Sequence, residues 1–189
     1  MKQRVIAIVG GIGVGKTVVS TVLSKLGYGI YDCDSNAKRL MDSSDTIKQQ
    51  IASKISEKAI ANNQINRPVL ANIVFNDEQK LETLNQITHS AVKDDIIKWI
   101  EENNGSVKFI ETAILYQSGL DKIVDEVWEV TAPMELRINR VMSRNNISRQ
   151  DVISRINSQQ IEIKKPHPNI KKIVNDLVTP ILPQILRLI

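Results

Sequence analysis

The sequence predicts a three-layer α/β fold with a five-stranded parallel sheet, a long helical insertion and a helical hairpin before the last strand. Three observations carry this. Residues 5–9 form an unbroken apolar run that passes directly into a glycine-rich turn and then a helical pattern. Short apolar runs recur at 30–31, 107–110, 127–130 and 173–174, separated by helical patterns. Residues 36–104 read as mostly helical. Strands buried on both faces of a parallel sheet read as continuous apolar runs, which is the pattern of residues 5–9.

The elements follow in order. In the helix after the first strand, Val18, Val19, Val22, Leu23 and Leu26 share one face, and Gly27 is placed to end it in a left-handed cap. Ile30 and Tyr31 then lead into Asp32 and Asp34, which begins a right-handed crossover. Ile47, Ile51 and Ile55 recur every four residues, and Asn76 or Asp77 caps a long helix striped by Leu81, Leu84, Ile87 and Ala91. After the strands at 107–110 and 127–130, helical patterns surround 136–142 and 152–156, the second opened by a capping box of Ser148 and Asp151. Thr179 and Pro180 mark the start of a final helix. The 189 residues suit one domain, with 1–35, 105–135 and 170–189 as its core, 36–104 as the insertion and 136–169 as the hairpin.

The totals exclude more than they name. Apolar residues at 42% and charged residues at 24% are ordinary globular usage, so neither disorder nor a fibrous repeat is indicated. The apolar runs fall far short of the roughly 20 residues that span a bilayer, and residues 5–9 meet glycines without a cleavage-site pattern, so a cytoplasmic protein is expected. The lone Cys33 has no disulfide partner and reads as a packing residue at a strand end. Residues 137–172 hold nine Lys or Arg against two acids, although the whole chain is only +4. That basic segment contains no aromatic residue to stack bases, which argues against nucleic acid and for the phosphates of a small ligand.

The glycine-rich turn supplies the chemistry. Gly10-Gly11-Ile12-Gly13-Val14-Gly15-Lys16-Thr17 matches G-x-x-x-x-G-K-[ST] in full and lies between a strand and a helix, as a P-loop NTPase fold requires. Glycines let successive N–H groups, from Gly11 through Thr17, wrap phosphate oxygens, and the helix N-terminus adds partial positive charge. Lys16 would reach the β- and γ-phosphates of ATP, and the Thr17 hydroxyl would be a ligand of Mg²⁺. Alternating glycines followed by lysine are unlike the dinucleotide fingerprint, and no guanine-reading Asn-Lys-x-Asp stretch is present.

Phosphoryl transfer also needs a group that orients the acceptor hydroxyl and takes its proton. Asp32 and Asp34 follow the second strand, where ligands of parallel sheets gather, and one of the pair is expected to cap the next helix instead. Glu111 closes the strand at 107–110, either as an acidic Mg²⁺ site of the Walker B kind or as a contact to the acceptor. Arg140 and Arg144 lie four apart on a helix and would clamp the transferring phosphate. Arg155 and Gln159 repeat the spacing in the next helix, so the hairpin reads as a lid that closes over ATP and excludes water.

The ordered series of phosphate loop, Asp32-Cys33-Asp34, Asn66-Arg67-Pro68-Val69-Leu70 and Leu84-Asn85-Gln86-Ile87-Thr88-His89 resembles the dephospho-coenzyme A kinases. The likeness runs on through residues 113–120 and the lid motif at 140–159, covering almost the whole chain. Glu111, Ala113, Gln117, Ser90 and the segment 166–169 depart from the family pattern. The resemblance implies transfer of the ATP γ-phosphate to the ribose 3′-hydroxyl of dephospho-coenzyme A. It makes Asp34 the base, places Arg67 and His89 in a helical acceptor-binding region, lets Arg144 stabilise the transferring phosphate and puts Asn175 near adenine. The expected partners are these two substrates with Mg²⁺, no nucleic acid and no membrane, in a monomer or small homo-oligomer. The competing readings are a P-loop kinase for another acceptor, such as a nucleotide or shikimate, and a nucleotide-binding regulator.

Overall fold

The computed structural model describes residues 3–159 and 165–189; residues 160–164 of the expected lid lie outside the described residues. Two compact units are present, one of Met1–Tyr31 with Asn103–Ile189 and one of Asp32–Glu102.

The first unit is built on a five-stranded sheet of β1 (Arg4–Val9), β2 (Gly29–Asp32), β5 (Val107–Glu111), β6 (Glu126–Thr131) and β7 (Ile170–Val174), in the order β2-β5-β1-β6-β7. β1 pairs in parallel with β5 and β6, and β6 with β7. After β1 the chain fills one side of the sheet and then the other, so the C-terminal end of β1 is the topological switch point where ligands of such sheets bind. On one face Ile6, Ile8, Phe109, Trp128, Val130 and Ile173 pack with Val19 and Leu23 of α1 (Lys16–Lys25) and Ile185 of α8 (Ile181–Leu188). Phe109 sits edge-on to Tyr28 at 5.5 Å and tilted against Trp128 at 5.0 Å. Val5, Ala7, Ile110 and Val127 are buried as well, so both sheet faces are covered, which explains the continuous apolar runs.

Helix ends follow the local chemistry with two corrections. Gly27, at φ 92°, closes α1 as its N–H reaches Ser24 and the Tyr28 N–H reaches Leu23, the paired bonds of a Schellman cap. Val18 and Leu26, expected on the buried stripe, are 49% and 43% exposed, because only Val19, Leu23 and the half-buried Val22 meet the core. At α8, Pro180 stands at the N-cap without a side-chain bond, and the Thr179 hydroxyl is turned back to Asp176 rather than capping the helix. The hairpin helices are α6 (Met134–Asn145) and α7 (Arg149–Ser158), with the Ser148–Asp151 capping box formed as the spacing predicts.

At the opposite end of β6, Glu126 is buried among donors: Arg4 at 2.7 Å, the Trp128 indole at 2.6 Å and Asn169 at 3.2 Å. Burial pushes its carboxyl pKa up, and the bonds from Arg4, Trp128 and Asn169 outweigh that, leaving it below the usual 4.5. A depressed carboxyl pKa stabilises the fold above its unfolded value and loses that contribution as pH falls through the folded one. Glu126→Ala is therefore expected to cost about 2–3 kcal/mol at pH 7, chiefly by orphaning the Trp128 indole and Arg4. The difference from wild type should shrink once pH drops well below 4.5. Denaturant titrations followed at Trp128 in a Trp99→Phe background measure both.

The second unit contains α2 (Cys33–Ser43), α3 (Asp45–Lys54), a 3-10 turn (Glu57–Ala59), the strands β3 (Ile60–Ala61) and β4 (Gln64–Ile65), α4 (Arg67–Phe75) and α5 (Glu78–Glu102). Its core joins Ile47, Ile51, Ile55, Leu70, Val74 and Ile87, with Leu84 and Ala91 at the margin. Leu81 of the expected stripe is 38% exposed. Of the two candidate caps for α5, Asp77 serves, accepting from the Lys80 N–H at 3.1 Å.

Candidate active site

The turn after β1 adopts backbone angles that side-chain-bearing residues rarely take: φ is 146° at Gly10, 81° at Gly13 and 91° at Gly15. Space is equally restrictive. A Cβ on Gly10 would lie 2.5 Å from the Val130 carbonyl oxygen, one on Gly13 2.6 Å from that of Arg137, and one on Gly15 would overlap the Asn175 side chain. The glycines thus serve both loop curvature and close packing of β6, α6 and the β7 end against it.

Lys16 folds back over this turn and donates to the Gly10 carbonyl at 2.9 Å. Thr17, one residue into α1, donates its hydroxyl to Glu111 at 3.0 Å, and Glu111 is the last residue of β5. β1 and β5 are neighbours in register, with Ile8 opposite Glu111, so the sheet itself delivers the carboxylate to the hydroxyl. Both oxygens are hard donors of the kind that Mg²⁺ takes, with phosphates and water completing its shell. Among the described residues no group of three or more His, Cys, Asp or Glu is placed to hold a metal alone.

Arg140 and Asn175 brace the loop. The Arg140 guanidinium donates to the Gly13 and Val14 carbonyls, each at 3.3 Å, and to the Asn175 side-chain oxygen at 3.1 Å. The buried Asn175 amide donates in turn to the Val14 carbonyl at 2.8 Å. The two residues are therefore brought together, although 35 positions separate them. Arg144 does not join them: it is exposed, and its guanidinium Nε bonds the neighbouring Asn145. The helical face that Arg140 and Arg144 share places them in line without making their guanidinium groups converge.

Arg137 had no signal in the sequence beyond being one arginine among several. Its Nε donates to the Ile12 carbonyl at 3.0 Å, and burial lowers the pKa of its guanidinium, which stays charged regardless. Gln159 accepts from the Ile12 N–H at 2.7 Å. Beside the loop lies a cavity of about 670 Å³ with Val9, Leu115 and Val127 among its apolar walls and Tyr116, Glu129 and Gln159 among its polar ones. The departing segment 166–169 closes one side: Tyr116 accepts from the His167 N–H at 3.1 Å, and the His167 ring spans the Val124 carbonyl and Asn169.

In the helical unit, Asp32 and Asp34 take different parts. Asp32 is the N-cap of α2, accepting from the Asp34 N–H at 3.0 Å and from the Ser35 hydroxyl at 2.5 Å. Asp34 stands in the first turn with its carboxylate outside that cap. Arg67, at the start of α4, pairs with Asp42 at 2.7 Å. His89 lies on α5, where burial lowers its pKa and favours the neutral ring at pH 7.

A glycine-rich turn between a strand and a helix N-terminus, with one lysine and one hydroxyl beside a carboxylate, has the chemistry to receive a polyphosphate, and on this parallel α/β sheet it defines the class of the P-loop kinases. Comparison with known proteins narrows the class. The family described as "Dephospho-CoA kinase" matches residues 4–181. The dephospho-CoA kinase of Porphyromonas gingivalis is 39% identical over 157 residues, 83% of this chain and 78% of that protein. That of Bacteroides fragilis is 33% identical over 185 residues, 97% and 90% of the two chains. Among solved structures, TT1252 from Thermus thermophilus superposes with a TM-score of 0.79 at 27% identity, covering 100% of this chain and 95% of that one. Dephospho-CoA kinase from Campylobacter jejuni shares the fold with a TM-score of 0.64 at 21% identity, covering 97% and 94%. The chain belongs to the dephospho-CoA kinase family. Among its described residues no helix is long and apolar enough to cross a membrane.

Proposed function

We propose that the chain transfers the γ-phosphate of ATP to the 3′-hydroxyl of dephospho-coenzyme A, giving coenzyme A and ADP in the cytoplasm. The observation that carries phosphoryl transfer is the Thr17–Glu111 pair beneath a complete phosphate loop; the acceptor follows from the family. Thr17 and Glu111 would hold Mg²⁺, which when bound offsets charge on the transferring phosphate.

The remaining work falls to the chain's own groups. Backbone N–H groups of the loop and Lys16 bind the phosphates, while Arg140 and Asn175 hold the loop in shape from its carbonyl side. Asp34 is the proposed base: Asp32 has taken the capping duty, and Asp34 stands in the first turn of α2 just after a strand C-terminus, where acceptors of such sheets lie. The unit at 32–102 would receive the acceptor, with Arg67 and the neutral His89 among its contacts, and α6–α7 would form the lid that supplies Arg144.

An acceptor panel tests this. With Mg-ATP, dephospho-coenzyme A should turn over far faster than nucleoside monophosphates or shikimate, with coenzyme A identified by mass. Preference for another hydroxyl compound would assign a different kinase, and slow ATP hydrolysis indifferent to every acceptor would mark a regulator instead.

A further inference from the structure

The Ile12 backbone is gripped from the lid hairpin on both sides. Its carbonyl accepts from Arg137 at 3.0 Å, its N–H donates to Gln159 at 2.7 Å, and its side chain packs against the small hairpin core of Ile138, Val141, Val152 and Ile156. Glycine at position 11 leaves room for this grip, since a Cβ there would lie 2.6 Å from the Arg137 guanidinium and 3.7 Å from the Gln159 oxygen. Phosphate loop and lid therefore meet at one residue.

A glutamine carboxamide has one acceptor end and one donor end. A backbone N–H only donates, so the atom facing Ile12 is the oxygen, and the NH₂ end is turned the other way. Gln159 also lines the cavity beside Gly10 and Gly11, and among the described residues its NH₂ has no hydrogen-bond partner. Two donors, fixed in direction by an anchored oxygen, are thus presented beside the first residues of the phosphate loop. Neutral donors suit phosphate oxygens, and a group already held in place loses little freedom when it binds them.

We propose that Gln159 is a further phosphate-handling residue, its oxygen anchored on the Ile12 N–H and its NH₂ donating to the γ-phosphoryl group during transfer. This rests on the kinase reading above for the reaction, though not for the binding of nucleotide. Glutamate at 159 keeps an oxygen for Ile12 but replaces the donors by negative charge, whereas alanine removes both ends.

The test compares Gln159→Glu and Gln159→Ala with the wild-type chain in two measurements. In the first, kcat with dephospho-coenzyme A should fall about 10- to 100-fold in both variants, the loss expected for a hydrogen bond to a charged group. In the second, calorimetry with ADP and with AMP-PNP should show ADP affinity unchanged and the gain from the γ-phosphate reduced in both, with melting temperatures close to wild type. If Gln159→Glu matches wild type while only Gln159→Ala is impaired, the oxygen's grip on Ile12 is the whole role and the proposal is wrong. Tighter AMP-PNP binding by Gln159→Ala would show that Gln159 competes with nucleotide, and would overturn it as well. A wild-type chain inactive toward dephospho-coenzyme A, yet showing the expected AMP-PNP pattern, would reject the acceptor and retain Gln159.

Discussion

Asp34→Asn should lower kcat by about 10²- to 10⁴-fold while leaving nucleotide affinity within a factor of two or three, which is the range spanned by general-base catalysis. The residue is in the first turn of α2 and its side chain takes no part in the cap, so its amide analogue leaves α2 intact. Asp32 is the internal control. Asp32→Ala removes the oxygens that accept from the Asp34 N–H and from the Ser35 N–H and hydroxyl, so it should weaken the start of α2 by about 1 kcal/mol. A turnover assay and a melting curve on both variants separate the roles. Near-normal kcat for Asp34→Asn would remove it as the base.

Lys16→Ala should be at least as damaging, because it removes the charge proposed to serve both binding and transfer. Its Nζ is 2.9 Å from the Gly10 carbonyl, at the head of the loop where the proposed terminal phosphate would lie. Loss of one charge-assisted bond costs about 1.5–3 kcal/mol in binding, and electrostatic support at the transferring group about as much again. A fall of about 10³-fold or more in kcat/KM for ATP is expected, split between KM and kcat. Thermal stability should be preserved, since loop curvature is held by Gly10, Gly13 and Gly15 together with Arg140 and Asn175. A Lys16→Ala variant that loses only ATP affinity would confine the lysine to ground-state binding.

These expectations differ in how far they could be read from residue order. Phosphate loop, capping box and strand runs are local patterns, each set by a few consecutive residues, and they appear where spacing places them. Choosing between Asp32 and Asp34 was beyond spacing, because both lie at the start of the same helix and only the backbone direction at Asp32 turns its carboxylate onto the Asp34 and Ser35 N–H groups. The small hairpin at β3 and β4 went unread inside a region taken as helical. Its signal was there: Asn62 and Asn63 both adopt positive φ, at 52° and 58°, in a two-residue turn that asparagine tolerates. Val18 and Leu26 illustrate the reverse error, since helical periodicity identifies a face but the width of the partner surface sets how much of it is covered.

Residue order is enough for the phosphate loop, the strand that feeds it, the capped helices and the kinase family, because each is written in contiguous residues or in an ordered series of them. Packing in three dimensions alone brings Thr17 of α1 to Glu111 at the end of β5, sets Arg140 and Asn175 against the carbonyl side of the loop, and turns Arg137 and Gln159 onto the Ile12 backbone. Those partners are separated by 94, 35, 125 and 147 positions. Hydrogen bonds act over about 3 Å whatever the separation along the chain, so sheet register and helix packing choose which of many similar side chains come within range.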